Sequence, residues 1–330
     1  MKQRYIAGWM VLVMAVLSGC GGQDKAPSDT QAGSGDGDAK KGLTIAVIPK
    51  GLAHQFWLTV KAGADAAGAE FGAEIIWQGP AKETEVAKQI NIVQDMLNKG
   101  VDGIVLAACD ENALVRPIET AMGKGVPVVT IDSGVKSDKP VSFVATDNVA
   151  GARLAADALL ELTGGGKVAL IAFVPGAATS ELREQGFKEG VESHPELELV
   201  ATQHCYSDVA KAMDITQDLL TSHSDLKGIF AANEAAAIGA AQGVKAAGRA
   251  GEIKIVAFDA AKEEVSALEE GTLQALIVQN PFNMGYMGVK AVLDAIKGES
   301  VEKRIDTGVT VVTKENLNDA DVQKIINPEV

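Results

Sequence analysis

The sequence predicts an α/β protein of two lobes, each built on a doubly wound parallel sheet. Two observations carry that expectation. From Leu43 onward, short Val/Ile/Leu-rich runs alternate with amphipathic segments of about a dozen residues, the pattern of βαβ units whose strands are covered on both faces. These runs number eleven over about 290 residues, more strands than one ordinary doubly wound sheet holds and a length that favours two cores over one.

Taken in order, the candidate strands are 44–48 (Thr-Ile-Ala-Val-Ile), 74–77, 102–107, 127–131, 141–145, 167–173, 198–202, 227–231, 253–258, 274–279 and 309–313. Each is a short apolar run bounded by turn residues. Helices are expected near 55–71, 83–99, 111–124, 148–163, 179–193, 208–222, 234–248, 261–270 and 283–297, where apolar residues recur at helical spacing. No GxGxxG follows the first strand. Gly164-Gly165-Gly166-Lys167 is followed by Val168, where a phosphate-binding loop needs Ser or Thr, so it reads as a turn.

Ahead of this pattern, residues 1–19 have the layout of an export signal: Lys2 and Arg4, then an apolar run from Ile6 to Val16 that is short for a membrane span. Leu17-Ser18-Gly19-Cys20 resembles the bacterial lipobox, which implies lipidation of Cys20 and cleavage before it. The alternative is an ordinary cysteine beside a small-residue cleavage site. Residues 20–42 offer almost nothing apolar to bury and read as a flexible linker. The implied location is the cell envelope, on its periplasmic or extracytoplasmic face, with the lipid as the only membrane attachment.

The net charge is −14, and loss of Lys2 and Arg4 with the signal makes it −16. So acidic a surface argues against nucleic acid and against adhesion to anionic lipid. Cys109 and Cys205 lie in no metal-ligand spacing and are read as unpaired thiols. Neither a metal nor a cofactor is expected.

In open parallel sheets, ligands bind beyond the carboxyl ends of the strands. The residues found there are Lys50, His54, Phe56 and Trp57 after the first strand, Cys109 and Asp110 after the third, Asp132 and Ser133 after the fourth, and Asp147 after the fifth. Ser180 and Arg183 follow, then Asn233, Phe258 with Asp259, and Gln279 with Asn280. No nucleophile–base pair stands among them, which argues against an enzyme. Planar carboxylates, amides and a guanidinium can each engage neighbouring hydroxyls in a fork, and aromatic rings cover the C–H faces of a sugar.

A plainer role competes for each polar residue, because Asp, Asn and Ser after a strand also cap the next helix. Asp110 and Asp147 read as caps. Asp132 and Asp259 are undecided on spacing, Asn233 suits either role, and Phe258 suits core packing as well as a ligand. His54 also fits an ordinary loop and Lys50 a solvated charge.

The chain from about Leu43 onward resembles the ribose-binding group of periplasmic sugar-binding proteins. The resemblance rests on Ile45-Ala46-Val47-Ile48 with Phe56-Trp57, Pro127 to Asp132, Ala145 to Asn148, Arg183 to Phe187, Ile229 to Asn233, Ile255 to Asp259 and Val278 to Pro281. It implies a type I periplasmic binding fold with three chain crossings near Thr146-Asp147, Gln279-Asn280 and Thr307-Gly308. The lobes would comprise 43–146 plus 280–308 and 147–279 plus 309–330. It further implies that Phe56 and Trp57 stack on a sugar while Asp132, Arg183, Asn233, Asp259 and Gln279 bind hydroxyls, with a further aromatic near Tyr206 or Ser207.

Three positions depart from the ribose-binding pattern: Lys50, His54 and Ser133. A pentose such as ribose is the first expectation, although Lys50, His54 and Arg183 together also suit an anionic sugar. The resemblance implies a monomer that closes by hinge motion over a monosaccharide and delivers it to an ABC permease. A sensor that presents its closed form to a chemoreceptor or kinase is the alternative. A repressor of the same fold would need an N-terminal helix-turn-helix where this chain has a signal and linker.

Overall fold

The computed structural model describes residues 42–328. The signal segment, Cys20 and the linker up to Lys41 lie outside the described residues.

Along the chain run β1 (Thr44–Ile48), α1 (Gln55–Phe71), β2 (Glu74–Trp77), α2 (Val86–Lys99), β3 (Gly103–Leu106), α3 (Val115–Gly123), β4 (Val128–Ile131) and β5 (Ser142–Ala145). Next come α4 (Asn148–Thr163), β6 (Gly166–Ala172), α5 (Ala178–Ser193), β7 (Leu197–His204), α6 (Val209–Ser222), β8 (Leu226–Ala231), α7 (Glu234–Ala246) and β9 (Lys254–Phe258). The chain continues with α8 (Lys262–Glu270), β10 (Ala275–Val278), α9 (Pro281–Ile296), β11 (Arg304–Asp306), β12 (Thr310–Val312) and α10 (Ala320–Ile326).

The strands form two six-stranded sheets, ordered β11-β5-β4-β3-β1-β2 and β12-β10-β9-β8-β6-β7. Every pairing is parallel except β10 with β12. Two lobes result, each a sheet covered by helices on both faces. Successive residues of β1 enter opposite layers: Ile45 and Val47 pack with α1 and α9, whereas Ala46 and Ile48 pack with α2 and α3. That double burial is why the central strands are apolar throughout rather than alternating.

The α1–α9 contact depends on missing side chains. A Cβ on Gly63 would lie 1.9 Å from the Phe282 carbonyl oxygen, and one on Gly285 would lie 2.0 Å from that of Val60. The two backbones meet where no larger residue fits.

The chain passes between the sheets three times, from β5 to α4, from β10 to α9 and from β11 to β12. The first and third passages are tied together: Thr146 Oγ1 donates to the Gly308 carbonyl at 3.1 Å, and Arg304 donates to the Ala145 and Thr146 carbonyls at 2.6 and 3.0 Å.

Sequence and structure differ at short or irregular elements. β11, with one apolar residue in three, and α10, under two turns long, carry too little pattern to be read. α2 begins at Val86 rather than 83, so Glu83 belongs to a loop. α3 begins at Val115 rather than 111, and α9 at Pro281 rather than 283, with proline in the first helical turn where its missing N–H costs nothing. Gly164, Gly165 and Gly166 all have positive φ and form the turn into β6. Cys109 and Cys205 are buried free thiols, and burial pushes the Cys205 thiol up to about 11. Among the described residues no helix is long and apolar enough to cross a membrane.

Candidate functional site

The carboxyl ends of the two sets of strands face each other, and the backbone there is unusual. Among the described residues the non-glycine positions with positive φ are Asp132 (53°), Tyr206 (57°), Ser207 (55°) and Asp259 (85°), each just past a strand end. Such conformations cost free energy for residues with a Cβ, and they gather where side-chain direction matters more than comfort.

On the first lobe, Lys50 is 3% exposed and holds three partners. Its ammonium lies 2.9 Å from Asp132 Oδ2, 3.0 Å from Ser133 Oγ and 2.9 Å from Thr179 Oγ1 of the other lobe. Burial pulls the Lys50 pKa down, but the charges of Asp132 and Glu83 outweigh it and the ammonium is held above its ordinary range. Asp132 Oδ2 therefore has the Lys50 ammonium as its partner. Gln279 Oε1 is a buried acceptor with no hydrogen-bond donor.

Trp57 meets Phe56 edge-to-face at 4.9 Å and donates its indole N–H to Glu83 Oε1 at 2.9 Å. The other Glu83 oxygen accepts from Ser207 Oγ of the second lobe at 2.6 Å, and Ser207 Oγ accepts from Asn233 Nδ2 at 3.1 Å. Of the two roles left open by its position, Asn233 fills that of cap, its Oδ1 accepting the Ala236 N–H at the start of α7. His54 Nδ1 stands 3.7 Å from Glu83 Oε1. Burial lowers the imidazole pKa, and Glu83 reverses this and raises it to about 9, while Lys50 and His54 overcome burial to hold Glu83 well below the usual carboxylate range.

On the second lobe, Arg183 donates to Asn148 Oδ1 at 2.8 Å and to the Ala232 carbonyl at 2.7 Å, with its guanidinium 3.8 Å over the Phe258 ring. Asp259 Oδ1 accepts from Gln279 Nε2 at 2.7 Å and Oδ2 from the Glu234 N–H at 3.0 Å. Burial raises the Asp259 pKa and lowers that of Arg183. Glu234 reaches back across the cleft and accepts the Gln55 and Phe56 N–H groups, both at 3.0 Å, at the amino end of α1.

These groups line a partly open space between the lobes. Its walls include nine residues singled out in the sequence: Lys50, His54, Phe56, Trp57, Asp132, Arg183, Asn233, Asp259 and Gln279. Ser133 stands one step back, bonded to Lys50 and Thr179. Phe258 is fully buried beneath Arg183. Tyr206 stays outside: it is 47% exposed, with its ring 4.9 Å from the Lys211 ammonium. The left-handed turn at residues 206 and 207 sends Ser207, not the tyrosine, toward Glu83.

Asp147 caps α4 by accepting the Ala150 N–H, whereas Asp110 caps no helix: α3 begins only at Val115, and Asp110 accepts the Asn112 and Ala113 N–H groups of the turn ahead of it. Sequence reasoning missed Glu83, Phe173, Thr179 and Glu234, which also line the space. For Glu83 the strand-end rule held the signal, since it follows β2. Phe173 ends the run that forms β6, and Thr179 and Glu234 each adjoin a residue already singled out.

Residues 45–300 match the periplasmic binding protein domain family. The chain belongs to the periplasmic binding protein family. It is 30% identical to the ribose import binding protein RbsB of Haemophilus influenzae over 272 residues, 82% of this chain and 91% of that one. A carbohydrate transporter solute-binding protein from Agrobacterium radiobacter, solved in complex with D-arabinose, superposes with a TM-score of 0.85 at 34% identity, covering 88% of this chain and 100% of that chain. An ABC transporter solute-binding protein from Agrobacterium vitis with bound D-fucose gives 0.84 at 40% identity, covering 86% and 99%.

Proposed function

We propose that this protein is the solute-binding component of an ABC importer and binds a neutral monosaccharide between its lobes. The observation that carries the reading is a buried acceptor without a hydrogen-bond donor, Gln279 Oε1, within a cleft whose charges oppose one another. A hydroxyl group of a polyol supplies the missing donor. Trp57, Phe56 and Phe173 offer ring surface for its C–H faces.

Charge pairing favours a neutral ligand over an acidic one. Lys50 has Asp132, His54 has Glu83, and Arg183 stands near Asp259 and Asp132, so no cation is left for a ligand carboxylate. The candidate ligand contacts are Lys50, His54, Phe56, Trp57, Asp132, Arg183, Asn233, Asp259 and Gln279, with Ser133 and Phe258 in support. The names of the relatives and the ligands of the solved neighbours, among them ribose, D-arabinose, D-fucose and D-tagatose, support a neutral monosaccharide, and a pentose such as ribose is our first choice.

The lobes, 43–146 plus 280–308 and 147–279 plus 309–330, close about the three crossings when the sugar binds, because it prefers the state in which both lobes reach it. The closed form is presented to a permease, and Cys20 carries the lipid that keeps the protein at the membrane. A thermal-shift screen of neutral monosaccharides and sugar acids tests the central claim, since a ligand at 100 times its dissociation constant adds about 2.7 kcal/mol of stability. Stabilisation by acids alone, or by nothing in the panel, would overturn it.

A further inference from the structure

Glu83 occupies the one point of the cleft where both lobes, an aromatic wall and two cations converge. It is 6% exposed, and its two oxygens divide the work. Oε1 faces Trp57 and His54 of its own lobe, at 2.9 and 3.7 Å, and Oε2 takes the Ser207 hydroxyl of the other. Nothing in a helix or sheet requires a carboxylate here: the residue lies in the loop between β2 and α2 and caps neither. An isosteric amide could accept the indole N–H with its oxygen and donate its own N–H to the Ser207 hydroxyl, reversing that bond, so what the acid adds is charge.

We infer that Glu83 is a specificity-determining residue, whose negative charge neutralises the first lobe's cations and makes the closed cleft select neutral sugars over acidic ones. The inference rests on the proposed sugar-binding role. The charged groups around it are Lys50, His54 and Asp132 on its own lobe and Arg183, Glu234 and Asp259 on the other. Without Glu83, Lys50 and Arg183 still face Asp132 and Asp259, while His54 loses the partner that chiefly keeps it protonated, and the cleft loses a buried negative charge. In a dry cleft that charge repels a ligand carboxylate, which in its absence can take its place beside His54 and Lys50. The raised His54 pKa agrees with this geometry.

The test is calorimetric titration of wild type, Glu83→Gln and Glu83→Asp with the tightest-binding neutral sugar among D-ribose, D-arabinose, D-allose, D-fucose and D-galactose, and with D-galacturonate. Glu83→Gln is expected to shift the affinity ratio toward the acid by about tenfold or more, whereas Glu83→Asp, which keeps the charge but shortens the reach, keeps the wild-type ratio. An unchanged ratio in Glu83→Gln overturns the inference and leaves the sugar-binding reading standing. A wild type that binds none of the neutral sugars overturns that reading, and the inference with it. If Glu83→Gln does not fold, the His54 imidazole of the wild type decides by NMR titration: a midpoint near 9 supports the charge pairing, and one near the ordinary 6.5 overturns it.

Discussion

The guanidinium of Arg183 lies 3.8 Å above the ring of Phe258, held there by hydrogen bonds to Asn148 and to the Ala232 carbonyl. Phe258 in turn packs so closely on α4 that a Cβ at Gly151 would come within 2.7 Å of its ring. The aromatic therefore fixes the height of the arginine in the cleft without lining the space itself.

Replacing that ring should reach the ligand through the arginine. Phe258→Leu removes a cation–π contact worth about 0.5–2 kcal/mol, so sugar affinity is expected to fall roughly 3- to 10-fold along with the melting temperature. Phe187→Leu, in the same core and stacked on Phe230 at 4.8 Å, serves as control and should lower the melting temperature alone. Equal affinities in the two variants would remove Phe258 from the site.

Closure is the next expectation. The contacts between lobes at Lys50–Thr179, Glu83–Ser207 and Glu234–Phe56 exist only when the strand ends meet. Solution scattering should show a smaller radius of gyration on adding a sugar that calorimetry has shown to bind, and Trp57 emission should change because its indole N–H shares Glu83 with Ser207. A binding sugar that leaves the scattering curve unaltered would rule out hinge motion.

The titratable pair His54 and Glu83 sets a pH window. The His54 pKa, about 9 in the fold against 6.5 ordinarily, gives a stability contribution that is full below 6.5 and lost as pH rises through 9. Glu83, held below 4.5, contributes above 4.5 and loses its effect on acidification. Asp259 and Glu234, raised by burial, act in the opposite sense and cost stability as pH rises through their range. Melting temperature should therefore decline between about pH 6.5 and 9, and less steeply in His54→Gln; parallel declines would refute the pairing.

Much of this site was legible because parallel topology dictates where ligand-facing residues fall. Lys50, Asp132, Asp259 and Gln279 all follow strands that their Val/Ile/Leu content makes plain. Glu83 was hidden by its loop: eight residues, 78–85, separate β2 from α2, and its charged stretch blends into the helical pattern. Thr179 and Glu234 act through partners 129 and 178 or more residues away, a pairing no local spacing can reveal. Tyr206 and Ser207 differ by one position, and only the left-handed backbone decides which of them enters the cleft.

Cys20 offers a prediction independent of the fold. If it carries lipid, Cys20→Ala should lose labelled palmitate and membrane attachment while keeping sugar affinity. Equal labelling of variant and wild type, or none in either, would exclude the anchor.

Helix caps and ligand contacts both place polar residues after apolar strands, and the structure now separates them. Asp147 caps α4 through the Ala150 N–H at 3.0 Å, and Asp110 holds the turn ahead of α3 through those of Asn112 and Ala113 at 2.9 and 2.7 Å, so alanine at either should cost about 1 kcal/mol of stability and leave affinity nearly untouched. Asp132 caps no helix, and Asp259 spends its oxygens on Gln279 and the Glu234 N–H, while α8 opens with the Ala261 N–H donating to the Glu264 carboxylate. Alanine at Asp132, Arg183 or Asp259 should weaken sugar binding by roughly 1.5–3 kcal/mol, one to two decades, because hydroxyls lose a charged partner in a dry cleft. Stability should respond unevenly. Asp132→Ala strands the Lys50 ammonium and should lower the melting temperature, whereas Asp259→Ala removes a carboxylate that burial already disfavours and should change it less. Calorimetric titration with melting curves for the five variants tests the set; wild-type affinity in both Asp132→Ala and Asp259→Ala would move the ligand away from the strand ends.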